Sequence, residues 1–314
     1  MFTVVGEALL DMVQPAPGAP YDALPGGGPL NIAVGLKRLG HPTAMMARFS
    51  SGALGDRVRD YALDMGLDLS PSVTTTLQTT LAFASVDETG RATYDFYTSE
   101  TADWAWSADE LAGLPSATQA IHTGSLATAI LPGADRIGQW WAEQAERGQM
   151  LLSFDPNIRP ALAGPRADAV RRVERLVALS HVVKASDEDL GWLYPDDAAA
   201  DSIRRWARLG PALAVLTRGP DGCLGVTHGG IAVELPAPRV DVVDTIGAGD
   251  AFQSGLLSGL ADLGRLTPDD VAEMSETDVA AVLSQALLVS ALTCQRAGSN
   301  PPTRAEYDAA ESAA

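Results

Sequence analysis

The stretch "DTIGAGD", residues 244–250, carries an aspartate at each end and almost no side chain between them. An apolar repeat typical of a helix follows it, formed by Ala251, Phe252, Leu256, Leu257 and Leu260. The small residues 247–249 therefore fall at the first helical turn, where backbone N–H groups lack intrahelical partners and the helix dipole is positive. We expect this turn to bind an anion such as a phosphoryl group in transfer.

Asp250 would lie beside that anion, an unfavourable place for a carboxylate unless it accepts a proton from an attacking hydroxyl. Asp244 precedes the turn and can serve a cation or hold the loop. A glycine-rich helix start with a capping aspartate explains the same residues without catalysis. The motif alone leaves both interpretations open.

Composition excludes several other classes of protein. The 314 residues carry a net charge of -18, which disfavours binding to nucleic acid or to anionic membranes. No glycine–lysine pair of a P-loop and no His-Arg-Asp loop of a protein kinase occurs. Two isolated cysteines, no basic leader and no apolar run of ~18 residues predict a cytoplasmic protein.

Apolar strand patterns recur about every thirty residues, the length of a strand–helix–strand unit. They lie at 120–124, 150–154, 181–186 and 213–219, with helical patterns between them. We therefore predict an α/β fold with a mostly parallel sheet, helices on both faces, and ligands beyond the carboxyl ends of the strands.

The N-terminal part of the chain combines two kinds of pattern. Strands at 2–6 and 43–50 and helices at 29–40 and 55–66 extend the alternation. A strand at 9–14 and a hairpin over 80–98, turning at "DETGR" (87–91), do not fit it. They predict a small separate sheet.

Two stretches resemble the signatures of the ribokinase-type sugar kinases, the PfkB family. "DTIGAGD" resembles the C-terminal signature, and "GGGPLNIAVGLKRLG" (26–40) resembles the N-terminal one. Five further segments follow in family order: "GEALLDM" (6–12), "FDPNIRP" (154–160), "VKASDEDL" (183–190), "LTRGPDG" (216–222) and "RAGSNPPT" (296–303). The resemblance covers nearly the whole chain and is greatest to the fructokinases. It implies one ribokinase-like, doubly wound domain over 1–314, with a β lid from about 9–24 and 80–99.

The resemblance also implies roles for the residues of the DTIGAGD segment. Asp250 matches the catalytic base, and the amides of Gly247, Ala248 and Gly249 match the anion hole. Asp244, with the "RAGSN" segment, matches a monovalent-cation site.

The substrate and nucleotide residues are implied in the same way. Asp11, Gly27, Asn31 and Arg159 match positions that bind sugar or phosphate. Each of three residues also has an interpretation without a functional role: Asn31 as a helix cap, Asp11 as a solvated charge on an edge strand, and Arg159 as a surface partner of Asp155. Ser186, Thr217 and Gly219 match positions that contact the nucleotide. Asp189 matches a carboxylate that orders Mg²⁺ through water. The family usually has asparagine and glutamate where Ser186 and Asp189 stand, which puts the nucleotide contact of Ser186 in question.

The implied reaction is ATP- and Mg²⁺-dependent phosphorylation of a sugar's primary hydroxyl, with fructose giving fructose 6-phosphate. A possible K⁺ requirement and a homodimer formed through the lid belong to the same expectation. Asp11, Asp103 and Asp155 are expected to crowd negative charge around the cleft, which disfavours an anionic sugar. The alternatives are a 2-keto-3-deoxygluconate kinase, a nucleoside kinase and an inactive sugar-sensing relative.

Two other observations carry no function at this stage. The chain has two lysines, Lys37 and Lys184, a scarcity that we interpret as compositional bias. His122 and His181 flank predicted strands, and we interpret them as structural.

Overall fold

A computed structural model describes residues 1–14, 16–86 and 92–313. In chain order the strands are β1 (Phe2–Val5), β2 (Leu9–Val13), β3 (Asp22–Gly26), β4 (Thr43–Met46), β5 (Arg48–Ser50), β6 (Val73–Thr75), β7 (Leu81–Val86), β8 (Ala92–Tyr97), β9 (Ala120–Gly124), β10 (Leu151–Asp155), β11 (Val182–Ser186), β12 (Leu213–Thr217), β13 (Cys223–Thr227) and β14 (Ala232–Leu235). The helices are α1 (Gly28–Arg38), α2 (Ala53–Asp64), α3 (Ala108–Leu111), α4 (Gly133–Arg147), α5 (Arg166–Leu179), α6 (Asp187–Leu193), α7 (Ala199–Ala207), α8 (Ala248–Asp262), α9 (Pro268–Ala272), α10 (Glu276–Cys294) and α11 (Arg304–Glu311).

An eight-stranded sheet forms the body of the molecule, in the order β14-β13-β12-β11-β10-β9-β1-β4. The strands from β4 to β12 in that order are parallel, and β13 and β14 are antiparallel additions at one edge. Continuous buried apolar runs such as that of β1 are typical of parallel strands covered on both faces. The predicted mostly parallel α/β fold is confirmed.

Helices cover both faces of this sheet, because successive strand residues point to opposite sides. Val4 belongs to the core beneath α1, α2, α8 and α10, and Val5 belongs to the core beneath α4, α5, α6 and α7. Because these strands are parallel, their carboxyl ends meet at one edge of the sheet, and the loops that follow them lie next to one another there.

Helix α10 is, among the described residues, the one helix long and apolar enough to cross a membrane by length and composition alone. Half of its most apolar window is buried in the fold. Val279 and Leu283 pack in the same core as Leu256 and Leu260 of α8. A helix that is apolar on most sides is also typical of a buried position in a globular core, so the length of α10 is weak evidence for a membrane span.

The predicted strand over 43–50 is wrong in one respect, because the chain leaves the main sheet at Ala47. β4 pairs with β1, whereas β5 pairs with β6 in a separate two-stranded parallel sheet. The buried Arg48 side chain donates from Nε to the carbonyl of Ala102 at 2.8 Å and pairs with Glu110, so it satisfies its charge and donors outside the main sheet. Arg48, a charged residue directly after Ala47, is the one local sign of this division within residues 43–50.

A second sheet of four strands, β3-β2-β7-β8, stands apart from the body and confirms the predicted small sheet. β7 and β8 form the predicted antiparallel hairpin, and its "DETGR" turn lies outside the described residues. Asp103 accepts hydrogen bonds from the amide of Ala8 and the hydroxyl of Thr80, which immediately precede β2 and β7. Asp103 therefore ties together the two points at which the chain enters this sheet.

Candidate active site

The first turn of α8 provides the backbone amides of the candidate site. Gly247 precedes the helix with φ 74°, and a Cβ placed there would lie 2.2 Å from Ser299 Oγ, so this position requires glycine. The Ala248 amide donates to Thr245 O at 3.2 Å. Within the described chain, the amides of Gly247, Gly249 and Asp250 donate to no protein acceptor. They remain available to an anion, whereas Ala248 is already engaged in the turn.

Asp250 is held by two side-chain amides from other elements. Asn31 Nδ2 donates to Oδ2 at 2.8 Å, and Asn157 Nδ2 lies 3.4 Å from Oδ1. Burial raises the pKa of Asp250, while the Asn31 hydrogen bond and the charges of Lys184 and Arg159 lower it. The carboxylate is thus oriented into the cleft and suited to accept a proton.

Asn31 does not act as a helix cap. It lies inside α1, and its backbone amide donates to Gly27 O at 3.0 Å, so its side chain is free to reach across to α8. Gly27 begins the helix with φ 109°, and a Cβ there would lie 2.8 Å from the carbonyl oxygen of Glu7. The glycine-rich run thus brings α1 close to the end of β1 and places Asn31 against Asp250.

Asp11 lies on β2, an interior strand of the four-stranded sheet, and is not a solvated edge charge. Its carboxylate packs on Gly26, where a Cβ would lie 2.0 Å from Oδ2. Burial and the negative charge of Asp250 raise the pKa of Asp11 to about 6, opposed by the positive charge of Arg159. The four-stranded sheet therefore contributes a second carboxylate to the same site.

The loop after β10 supplies Asn157, which the sequence places at a strand's carboxyl end, where ligands bind, without indicating a role for it. Asn157 has φ 38°, and its backbone N–H donates to Asp155 Oδ1 at 3.1 Å. Arg159 Nη1 donates to Asn157 Oδ1 at 2.7 Å, which turns the side-chain Nδ2 of Asn157 toward Asp250. Exposed Arg159 thus bonds to Asn157 instead of to Asp155, its expected surface partner.

Lys184 is the residue that the sequence interpretation missed. Its Nζ lies 2.8 Å from Asp155 Oδ2, and the two side chains are 4% and 2% exposed. The same nitrogen lies 3.4 Å from the position a Cβ would take on Gly249. A lysine near the end of an otherwise apolar strand was the available signal, because a fully buried lysine needs a charged partner.

The residues expected to contact nucleotide lie at the carboxyl ends of adjacent strands. Ser186 of β11 pairs in register with Thr217 of β12, and Gly219 follows shortly after with φ 50°. Ser186 Oγ accepts the amide of Asp189, and Asp189 Oδ2 accepts the amide and hydroxyl of Ser186, which together begin α6. This end of the site is separate from the Asn31–Asp250 contact.

Asp189 has little capacity left for a metal-bound water. Besides its two bonds from Ser186, it accepts the Ile158 amide on Oδ1 at 2.7 Å. A carboxylate has about four acceptor positions, so one remains. Within the described ranges, no three His, Cys, Asp or Glu side chains converge to hold a metal ion directly.

Asp244 joins the loop before α8 to the loop after α10. Its Oδ2 accepts the amide of Gly298 at 2.8 Å, and its Oδ1 accepts the amide of Ile246 at 3.0 Å. The amide of Asp244 itself donates to Cys294 O at 3.2 Å. The structure therefore brings Asp244 and the "RAGSN" segment together next to the α8 turn.

A buried carboxylate held by two side-chain amides beside the unpaired amides of a helix start, with a second carboxylate from the four-stranded sheet, suits phosphoryl transfer to a small molecule. The chain belongs to the pfkB family of carbohydrate kinases, whose pattern matches residues 3–306.

Individual relatives agree with this assignment. A fructokinase from Rhizobium leguminosarum bv. trifolii is 33% identical over 282 residues, which cover 88% of this chain and 84% of the relative. The crystal structure of a fructokinase with bound ATP from Xylella fastidiosa superposes with a TM-score of 0.88 at 26% identity, covering 100% and 99% of the two chains. A fructokinase double mutant from Vibrio cholerae O395, bound to fructose, ADP and potassium ion, gives 0.83 at 26% identity, covering 98% and 97%.

Proposed function

We propose that this protein is an ATP-dependent fructokinase that converts fructose and ATP to fructose 6-phosphate and ADP. The observation that carries the proposal is Asp250, which Asn31 orients at 2.8 Å beside the open amides of Gly249 and Asp250. The resemblance of the chain to fructokinases names the sugar.

In this proposal Asp250 accepts the proton of the sugar's primary hydroxyl as that oxygen attacks the terminal phosphoryl group. The α8 amides and the helix dipole stabilise the charge that develops on the transferred group. Asp11, Gly27, Asn31 and Arg159 bind the sugar hydroxyls and fix its orientation. Catalysis is thus largely positioning and charge stabilisation, as is usual in phosphoryl transfer.

We propose that the nucleotide lies along the ends of β11 and β12, near Ser186, Thr217 and Gly219. Mg²⁺, when bound with ATP, would neutralise phosphate charge. Asp189 would reach it through a single water, because three of its acceptor positions are occupied. Most of the ligands of Mg²⁺ would then be phosphate oxygens and water.

The charge around the cleft favours a neutral sugar, although for a narrower reason than the sequence predicted. Of the three aspartates expected to crowd it, Asp103 is engaged with Ala8 and Thr80, and Asp155 is paired with Lys184. Asp11 and Asp155 both interact electrostatically with Asp250, and because Lys184 offsets the charge of Asp155, the carboxylates that remain are Asp11 and Asp250. A sugar acid would add a third negative charge near these two carboxylates, with exposed Arg159 as its main compensation.

We expect kcat/KM to be highest for fructose in a panel with 2-keto-3-deoxygluconate, a neutral riboside and other neutral hexoses. All are assayed by ADP release on one enzyme preparation. A value for 2-keto-3-deoxygluconate tenfold above that for fructose corresponds to about 1.4 kcal/mol of transition-state binding. That result would overturn the choice of sugar and leave the kinase assignment intact.

We propose a monovalent-cation site at Asp244. Its carboxylate and the loop at Gly298 lie next to the α8 turn, and a bound K⁺ there would order the anion hole. Activity is expected to rise when K⁺ replaces tetramethylammonium at equal ionic strength, and Asp244→Asn is expected to weaken the response. Equal rates in both salts would exclude the site.

We further propose a single cytoplasmic catalytic domain over 1–314, in which the four-stranded sheet acts as a lid and pairs two chains. That sheet exposes Leu24 (46%) and Tyr97 (61%), and an apolar sheet surface with open edges is commonly covered by a partner. Light scattering at micromolar concentration is expected to give a dimer, and Leu24→Asp combined with Tyr97→Asp a monomer. A monomeric unmodified protein would contradict this assembly.

A further inference from the structure

The buried Lys184–Asp155 pair lies directly behind the first turn of α8. The two residues come from the carboxyl ends of adjacent parallel strands, β11 and β10. The cost of removing two charges from water usually offsets most of the attraction between them. A contribution to folding stability is therefore a weak explanation for a buried ion pair. Its position beside Gly249, where a Cβ would lie 3.4 Å from Nζ, offers another explanation.

Asp155 fixes two groups that converge on the site. Its Oδ2 binds the Lys184 ammonium at 2.8 Å, and its Oδ1 accepts the amide of Asn157 at 3.1 Å. Asn157 in turn directs Nδ2 at Asp250 Oδ1. One buried carboxylate therefore sets the position of a positive charge behind the anion hole and of an amide beside the base.

Lys184 remains charged in this setting. Burial alone would lower its pKa, but the carboxylates of Asp155, Asp189 and Asp250 outweigh burial and raise it. The charged groups that interact with Asp250 are Asp11 on β2, Asp155 and the following Arg159 at β10, and Lys184 on β11. Asp189 on α6 and His122 on β9 interact with Lys184, and burial and Lys184 lower the pKa of His122 to about 3.

We propose that Lys184 is a positioning residue for phosphoryl transfer: held by Asp155, its ammonium places a fixed positive charge behind the open amides of α8. The inference rests on the proposed kinase function. The charge strengthens the anion hole for the transferred group and favours the ionised form of Asp250. Because the ammonium is enclosed, it acts through the helix turn and does not itself touch the substrate.

The test compares Lys184→Met and Asp155→Asn by pH profile and by separate kcat and KM. Lys184→Met is expected to lower kcat at least about tenfold, to change the KM for fructose less than about threefold, and to move the acidic limb of kcat/KM upward by about one pH unit. Asp155→Asn leaves the positive charge of Lys184 without its carboxylate partner, so the acidic limb of kcat/KM is expected to move to lower pH. Opposite displacements are not expected of two merely structural residues.

Controls make the result decisive. Lys37→Met, at the chain's other lysine, is expected to leave both parameters unchanged. If Lys184→Met fails to fold, the double variant Lys184→Met with Asp155→Asn removes both buried charges. Its kcat is still expected to be at least about tenfold low. Either Lys184 variant with kcat within twofold of the unmodified enzyme, or acidic limbs displaced in one direction by both single variants, would refute the role. An unmodified enzyme inactive on every sugar would instead refute the proposed function.

Discussion

Asp250→Asn is expected to lower kcat by at least about a hundredfold with a modest change in the KM for ATP. Asparagine keeps the shape of the side chain but cannot accept the hydroxyl proton. The contact with Asn31 Nδ2 still fixes the side chain, so binding changes less than the chemical step. Steady-state kinetics with fructose and ATP measures both parameters.

A matched control is Asp168→Asn, which changes the third residue of α5 just as Asp250 is the third residue of α8. Asp168 pairs with Arg171 on the surface, and its replacement is expected to leave kcat within about twofold. Near-normal kcat in Asp250→Asn would reject Asp250 as the base.

Gly247→Ala is expected to lower kcat by about 10² to 10³-fold, the effect of losing an anion-hole donor. Its φ of 74° disfavours a side chain, and the new Cβ would lie 2.2 Å from Ser299 Oγ and 2.6 Å from Ser299 Cβ. The start of α8 must shift to relieve this contact, which displaces the open amides of Gly249 and Asp250. Steady-state kinetics and a thermal unfolding curve separate this effect from loss of the fold.

The control for backbone strain is Gly264→Ala, just beyond the other end of α8. Gly264 has φ 70°, and nothing lies within 4 Å of a Cβ placed there. Gly264→Ala therefore has the same backbone cost as Gly247→Ala but no contact like the one with Ser299. Its kcat is expected to stay near that of the unmodified enzyme. Equal kcat losses in the two variants would indicate that general strain, not the anion hole, explains the effect.

The strands of the main sheet could be predicted because their residues are buried on both faces. The patterns at 120–124, 150–154, 181–186 and 213–219 match β9, β10, β11 and β12 closely, since short apolar-rich stretches that recur about every thirty residues with helical patterns between them are typical of parallel strands. The antiparallel pair β13 and β14 lay beyond the regular alternation and was not predicted. The break at Ala47 was not predicted because the pairing of β5 with β6 and the contact of Arg48 with Ala102 join segments that are distant in sequence.

The site was predictable where a motif has a local physical cause. The small residues at 247–249 and the aspartate after them follow from the needs of a helix start that binds an anion. The Asn31–Asp250 hydrogen bond joins residues 219 positions apart, and only the family resemblance placed them in one site. The roles of Asn157 and Lys184 were not predicted because both depend on Asp155, which accepts the backbone amide of Asn157 in its own loop and pairs with Lys184 on the neighbouring strand.

Identification of the reaction products is the most direct test of phosphoryl transfer from ATP to a sugar hydroxyl activated by Asp250. Purified protein is incubated with fructose, ATP and Mg²⁺, and phosphorus NMR identifies the products, with Asp250→Asn in parallel. We expect one fructose 6-phosphate for each ADP from the unmodified protein and almost none from the variant. ADP accompanied only by inorganic phosphate, equal product from the variant, or unchanged ATP with every sugar would contradict this mechanism.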